Sequence, residues 1–181
     1  MTLVADTPVP KLDLWVDVDD SLAGMADSTR HLPDHATWQL WFGTWLQELG
    51  PTASPISSYE QSLRLADDSA IRQLNAAYRH QDKSTDVLAF AAQEAPMPGD
   101  QAIYQTIPLP LGDVIISVET AQRQRHDDDF SLTQELAWLA VHGLLHLLGW
   151  DHPDETSLKA MLDKQSHLLE QVNLIVRQDE Y

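Results

Sequence analysis

The residues best equipped for chemistry are three histidines, His142, His146 and His152, in the run HGLLHLLGWDH that ends at His152. On a helix, 3.6 residues per turn set His142 and His146 one turn apart on one face, so both imidazoles can reach one ion. Gly149 follows and is suited to the left-handed conformation that ends a helix and turns the chain back. That turn would carry His152 towards the same ion. Three neutral ligands leave a fourth coordination position open, which is the donor set of a catalytic zinc rather than a closed structural one. The residue after His142 then narrows the chemistry. Zinc proteases of the H-E-x-x-H type place their general base there, and Gly143 cannot move a proton. A three-histidine metallopeptidase is therefore an alternative that has the scaffold and lacks the base.

These ligands need a long helix, and Ser131-Leu-Thr-Gln134 is a capping box that starts one. Glu135, seven residues before His142, and Asp151, beside His152, are candidates to accept an imidazole N–H from outside the ligand set. Behind the turn, Asp154 opens a last helix through Leu158, Met161, Leu162, Leu168, Leu169 and Val172. Met161 is read as core. Upstream, Leu12 to Val18 alternates as a strand does. Asp34 caps a helix whose Trp38, Trp41, Phe42, Trp45, Leu46 and Leu49 form a core stripe ended by Gly50. Tyr59 to Leu65 is a strand, and Asp67 or Asp68 caps a helix through Ile71, Leu74 and Tyr78 that ends at Arg79. Val87 to Ala91 is a short strand and Leu111 to Val118 an apolar one, expected near the middle of a sheet. Gln93 to Pro110 is expected to be a long loop bordering the site, without helical or strand period. Glu119 to Asp127 is expected to be a short helix. Asp127 to Asp129 is expected to be a solvated turn rather than a second metal site, and the tail after Arg177 to be frayed. Strands interleaved with helices, with no repeat and no shift in composition, predict one α+β domain over residues 1–181, with a small mixed sheet packed by helices.

Composition sets outer limits. A chain of 181 residues can bury about 70% of its unfolded surface in one core. It has no cysteine, which excludes disulfides and thiolate ligands. The start shows no signal peptide, and the longest uncharged apolar run, Leu136 to Trp150, is too short to span a membrane. A soluble, cytoplasmic protein is expected. The 11 basic and 28 acidic residues give a net charge of −17, which opposes unspecific attraction to a polyanion, so an enzyme acting on nucleic acid would need a local basic face. Arg64, Arg72, Arg79 and Lys83 cluster in one segment, with Arg123 and Arg125 further on; Arg64 and Arg72 are expected to be ordinary surface charges.

The histidine run resembles the signature of the YbeY family of bacterial endoribonucleases, H-G-x-L-H-L-x-G-x-D-H, at every fixed position. Two further segments agree with that family: Leu74-Asn75 through Phe90, and Gly112 to Ser117, so that the resemblance covers about Tyr59 to about Leu169. The first 55 residues match its pattern poorly. Ser84, Ala89 and Trp150 stand where it has proline, serine and tyrosine. The resemblance implies one zinc ion per chain held by His142, His146 and His152, and Arg79 as an active-site residue. It implies a zinc-dependent, single-strand-specific endoribonuclease of 16S rRNA 3'-end maturation and ribosome quality control. Its partners would be ribosomal RNA, the small ribosomal subunit and ribosome-assembly proteins, and neither DNA nor a membrane. A guanidinium is well shaped to hold a phosphate oxygen and to stabilise the charge of a phosphoryl transition state; near a helix C-terminus it also simply suits the dipole. A ribosome-assembly factor with a mainly structural zinc is the second alternative.

Overall fold

Two alternating segments and two mainly apolar ones form the four strands of one sheet. In the computed structural model, which describes residues 9–24, 32–94, 101–125 and 130–174, these are β1 (Lys11–Val18), β2 (Ser58–Ala66), β3 (Val87–Ala91) and β4 (Leu109–Ser117). Their order is β1-β2-β4-β3; β1, β2 and β4 run parallel and β3 is antiparallel to β4. Five α-helices accompany them among the described residues: α1 (His35–Leu49), α2 (Asp68–Arg79), α3 (Val118–Gln124), α4 (Leu132–Leu147) and α5 (Glu155–Gln171). The expected α+β class and mixed sheet are met, with β4 inside the sheet as its apolar run required. The Asp127 to Asp129 turn and the tail after Arg177 lie outside the described residues.

The helices start and stop where side chains satisfy their free backbone groups. Asp34, Asp67, Ser131 and Asp154 accept backbone N–H groups at the starts of α1, α2, α4 and α5. Gly50 ends α1 in the left-handed conformation. The main core joins one face of the sheet to α1, α3, α4 and α5; Trp38, Phe42, Trp45 and Leu46 of α1 are fully buried, and the Trp45 indole donates to the Leu168 carbonyl of α5 at 2.9 Å. On the opposite face, Ile71 and Leu74 of α2 pack on Ala66, Leu88, Ile115 and Phe90.

The segment before β4 departs from the expected loop. Short 3-10 turns occupy Ala92–Glu94 and Gln101–Gln105, Tyr104 is buried in the core, and β4 begins at Leu109 rather than Leu111. Pro110 is tolerated there because β3 pairs only with Gly112 to Ile116, so β4 has a single strand neighbour at the proline. Residues 95–100 lie outside the described part.

Candidate metal centre

The pocket lies at the edge of the sheet, where β3 has β4 on one side and, among the described residues, no strand on the other. Period-two alternation splits the side chains of β3: Val87, Ala89 and Ala91 pack towards the main core, while Leu88 and Phe90 face α2. α4 crosses the first of these faces very closely, because Gly143 sits over Val114. A Cβ at Gly143 would meet the Val114 Cγ atoms at 2.7 and 2.9 Å, so any side chain here must displace Val114, and packing disfavours a glutamate that the sequence does not supply. The peptidase alternative loses its base for a structural reason.

The end of α4 turns as the glycine predicted. Gly149 adopts φ +86, Gly149 N–H donates to His146 O at 2.9 Å and Trp150 N–H to Leu145 O at 3.0 Å. These two bonds form a Schellman motif, which reverses the chain. Asp151 accepts the His152 N–H at 2.8 Å and so fixes the turn's backbone. The result is that one donor nitrogen from each of His142, His146 and His152 lies within 4.8 Å of the others. The His142 and His146 Nε2 atoms are 3.0 Å apart. Two nitrogens each ~2.0–2.1 Å from a tetrahedral zinc would stand about 3.3 Å apart, so the arrangement fits a shared ion.

The histidines are prepared electrostatically as ligands. Burial, reinforced by the neighbouring His146 and His152 and opposed by a hydrogen bond to Gln165, pushes His142 from 6.5 down to about 4. Burial, then the His152 charge, lowers His146, with the Arg79 charge adding to the shift. Both imidazoles are thus neutral at physiological pH, the form that offers a lone pair. The partner of His142 Nδ1 is Gln165 of α5, 3.3 Å away, and not Glu135, which the helical spacing had suggested; Glu135 is buried on α4 itself. Asp151 likewise serves the His152 backbone rather than an imidazole. A signal for Gln165 existed in the sequence, since it is a polar residue on the stripe of Met161, Leu168 and Leu169, all buried against the core.

Arg79 reaches the same cavity from the opposite side of the sheet. It ends α2, and its Nη2 donates to the Ala89 carbonyl at 3.0 Å, on the β3 edge. Its guanidinium lies 5.6 Å from the Phe90 ring centre, and Glu94 is 3.9 Å away. Asn75, buried on α2, holds the following loop by donating to Lys83 O at 2.8 Å. The cavity of about 460 Å³ is lined by Arg79, His142, His146, Glu94, Trp150 and Asp151, with β3 as its floor. The wider basic face does not materialise. Arg64 pairs with Asp19 and Asp17, Arg72 with Asp82, Arg123 with Asp68 and, more loosely, Arg79 with Glu94, so carboxylates stand beside four of the six clustered cations.

An α+β unit in which three imidazoles converge, two of them lining a cleft with an arginine, defines a protein that could hold a metal ion there. The family model of Endoribonuclease YbeY matches residues 25–173, a longer stretch than Tyr59 to Leu169. A protein named Endoribonuclease YbeY in Nostoc sp. is 55% identical over 139 residues, covering 77% of this chain and 75% of its own. Those of Cyanothece sp. and Synechocystis sp. are 53% identical over 162 residues and 45% over 168, covering 89% and 92% of this chain and 95% and 94% of their own. The chain belongs to the YbeY family.

Proposed function

We propose that the protein is a hydrolytic endoribonuclease of ribosomal RNA processing, whose activity depends on an ion held by His142, His146 and His152, with Arg79 as the anion-binding catalytic residue. The observation that carries this reading is the convergence of three imidazoles, two of which line one cavity with a guanidinium, in a member of a family of endoribonucleases. Zinc, one per chain, is the ion best matched by an all-nitrogen set of three with room for a further ligand. When bound, it supplies Lewis acidity towards a phosphate oxygen and makes water a usable nucleophile near neutral pH.

The chain's own residues supply the rest. Arg79 is fixed by the Ala89 carbonyl and the Phe90 ring, and its remaining N–H groups are available to a non-bridging phosphate oxygen. Glu94, a carboxylate beside this guanidinium, is exposed and separated by 3.9 Å, a contact that an incoming phosphate would replace. Gly143 brings the ligand helix down onto the sheet and carries no proton. The finer assignments rest on the family resemblance: single-stranded substrate, 3'-end maturation of 16S rRNA and ribosome quality control, work on the small subunit with assembly proteins, and a cytoplasmic location.

The test is cleavage of labelled small-subunit ribosomal RNA by zinc-loaded protein, with His146→Ala prepared in parallel. Cleavage confined to the native protein is expected. Equal cleavage by both, or none by either, would refute the reading.

A further inference from the structure

Gln165 is fully buried, and both ends of its amide are committed. Its Nε2 donates to the Trp138 carbonyl of α4 at 2.9 Å, and its Oε1 faces His142 Nδ1 at 3.3 Å. The orientation of this amide follows from chemistry. A carbonyl oxygen can only accept, so the NH2 group must face Trp138 and the oxygen must face the imidazole. The His142 Nδ1 must then be the protonated nitrogen, because an amide oxygen offers no hydrogen. In a neutral imidazole the other nitrogen, Nε2, is left with the free lone pair. That Nε2 is the atom that faces His146 Nε2 at 3.0 Å, inside the ligand group.

We propose that Gln165 is the positioning residue of the site: it fixes the Nδ1–H tautomer and the ring orientation of His142, and so sets the affinity of the three-histidine group for a divalent transition-metal ion. The inference rests on the metal-centre reading and adds to it a residue 13 positions beyond the last ligand, from a different helix. It also gives the packing of α5 on α4 a role in the site. The Trp138 carbonyl lies one helical turn before His142, so a single amide bridges the backbone of the ligand helix and the ligand ring. Free imidazole lacks this constraint, and a mixed tautomer population would place a proton on the ligand nitrogen part of the time.

The test compares Gln165→Leu with Gln165→Glu by competition for zinc against a chromogenic chelator, and by nitrogen-15 NMR of the His142 ring in metal-free protein. Both variants lose the donor to the Trp138 carbonyl; leucine, of similar size, also removes the acceptor, whereas glutamate keeps the acceptor towards Nδ1. The expected result is zinc affinity lower by about 10- to 100-fold in Gln165→Leu, with affinity near native in Gln165→Glu. The leucine variant should also lose the exclusive Nδ1–H signature. A purely structural role predicts the opposite order, because a buried carboxylate harms the core more than leucine does. Equal affinity in all three proteins, or glutamate as weak as leucine, would overturn the proposal. If the native protein takes up no zinc, the metal-centre reading fails. The tautomer signature in the metal-free native and leucine proteins still decides the role of Gln165.

Discussion

The ion-binding half of the cleft is built within eleven consecutive residues, whereas the arginine that faces it comes from α2, across the edge of the sheet. In the first half, helical period and one glycine turn bring His142, His146 and His152 together, and the bonds that make the turn are local. In the second, Arg79 depends on the antiparallel placement of β3 at the sheet edge, on the Ala89 carbonyl exposed there, and on Asn75 holding the loop between. The two halves therefore fail differently. On the proposed function, damage to the first should remove the ion, and damage to the second should leave the ion in place and remove its neighbour.

The largest effect expected on the ion-binding half alone is its response to acid. The folded His142 sits at about 4 against 6.5 when unfolded, so below pH 6.5 the unfolded chain binds the extra proton first. The contribution of His142 to stability is fully present above pH 6.5 and is lost as pH drops towards 4, by about 3 kcal/mol across that window. The shift of His146 acts in the same direction. Thermal melts of metal-free protein between pH 7 and 4, with His142→Gln flattening the profile, check this; identical slopes in both proteins would contradict it. Next in size is Gly143→Glu. The collision with Val114 should cost about 2 kcal/mol and confer no hydrolysis of casein. A stable variant that digests casein would restore the peptidase reading. The smallest effect belongs to the exposed Arg72–Asp82 pair: Arg72→Gln should leave melting and RNA cleavage unchanged, because its charge is already answered by Asp82. Lost cleavage would show that this cation also reaches the RNA.

The same division governs what the sequence made legible. The ligands, the capping box at Ser131, the core stripe of α1 and the turn at Gly149 each depend on contacts within a few residues, which spacing encodes directly. Gln165 was missed because its approach to His142 depends on how α5 packs on α4; spacing along one helix pointed to Glu135 instead. Arg64 and Arg72 are the ordinary surface charges expected, but the carboxylates that pair with them and with Arg123 were hidden, since Asp19, Asp82 and Asp68 meet their partners through tertiary packing. Tyr104 illustrates the same limit: prolines and a missing period suggested an open loop, while one aromatic residue anchors that segment in the core.

The most direct measurement is made on Arg79→Ala, with bound metal and RNA cleavage determined on the same preparation. The account predicts native metal stoichiometry with cleavage lowered by about 10²- to 10³-fold, the effect of removing a group that stabilises transition-state charge. Loss of the metal together with activity, or full activity without the guanidinium, would contradict it.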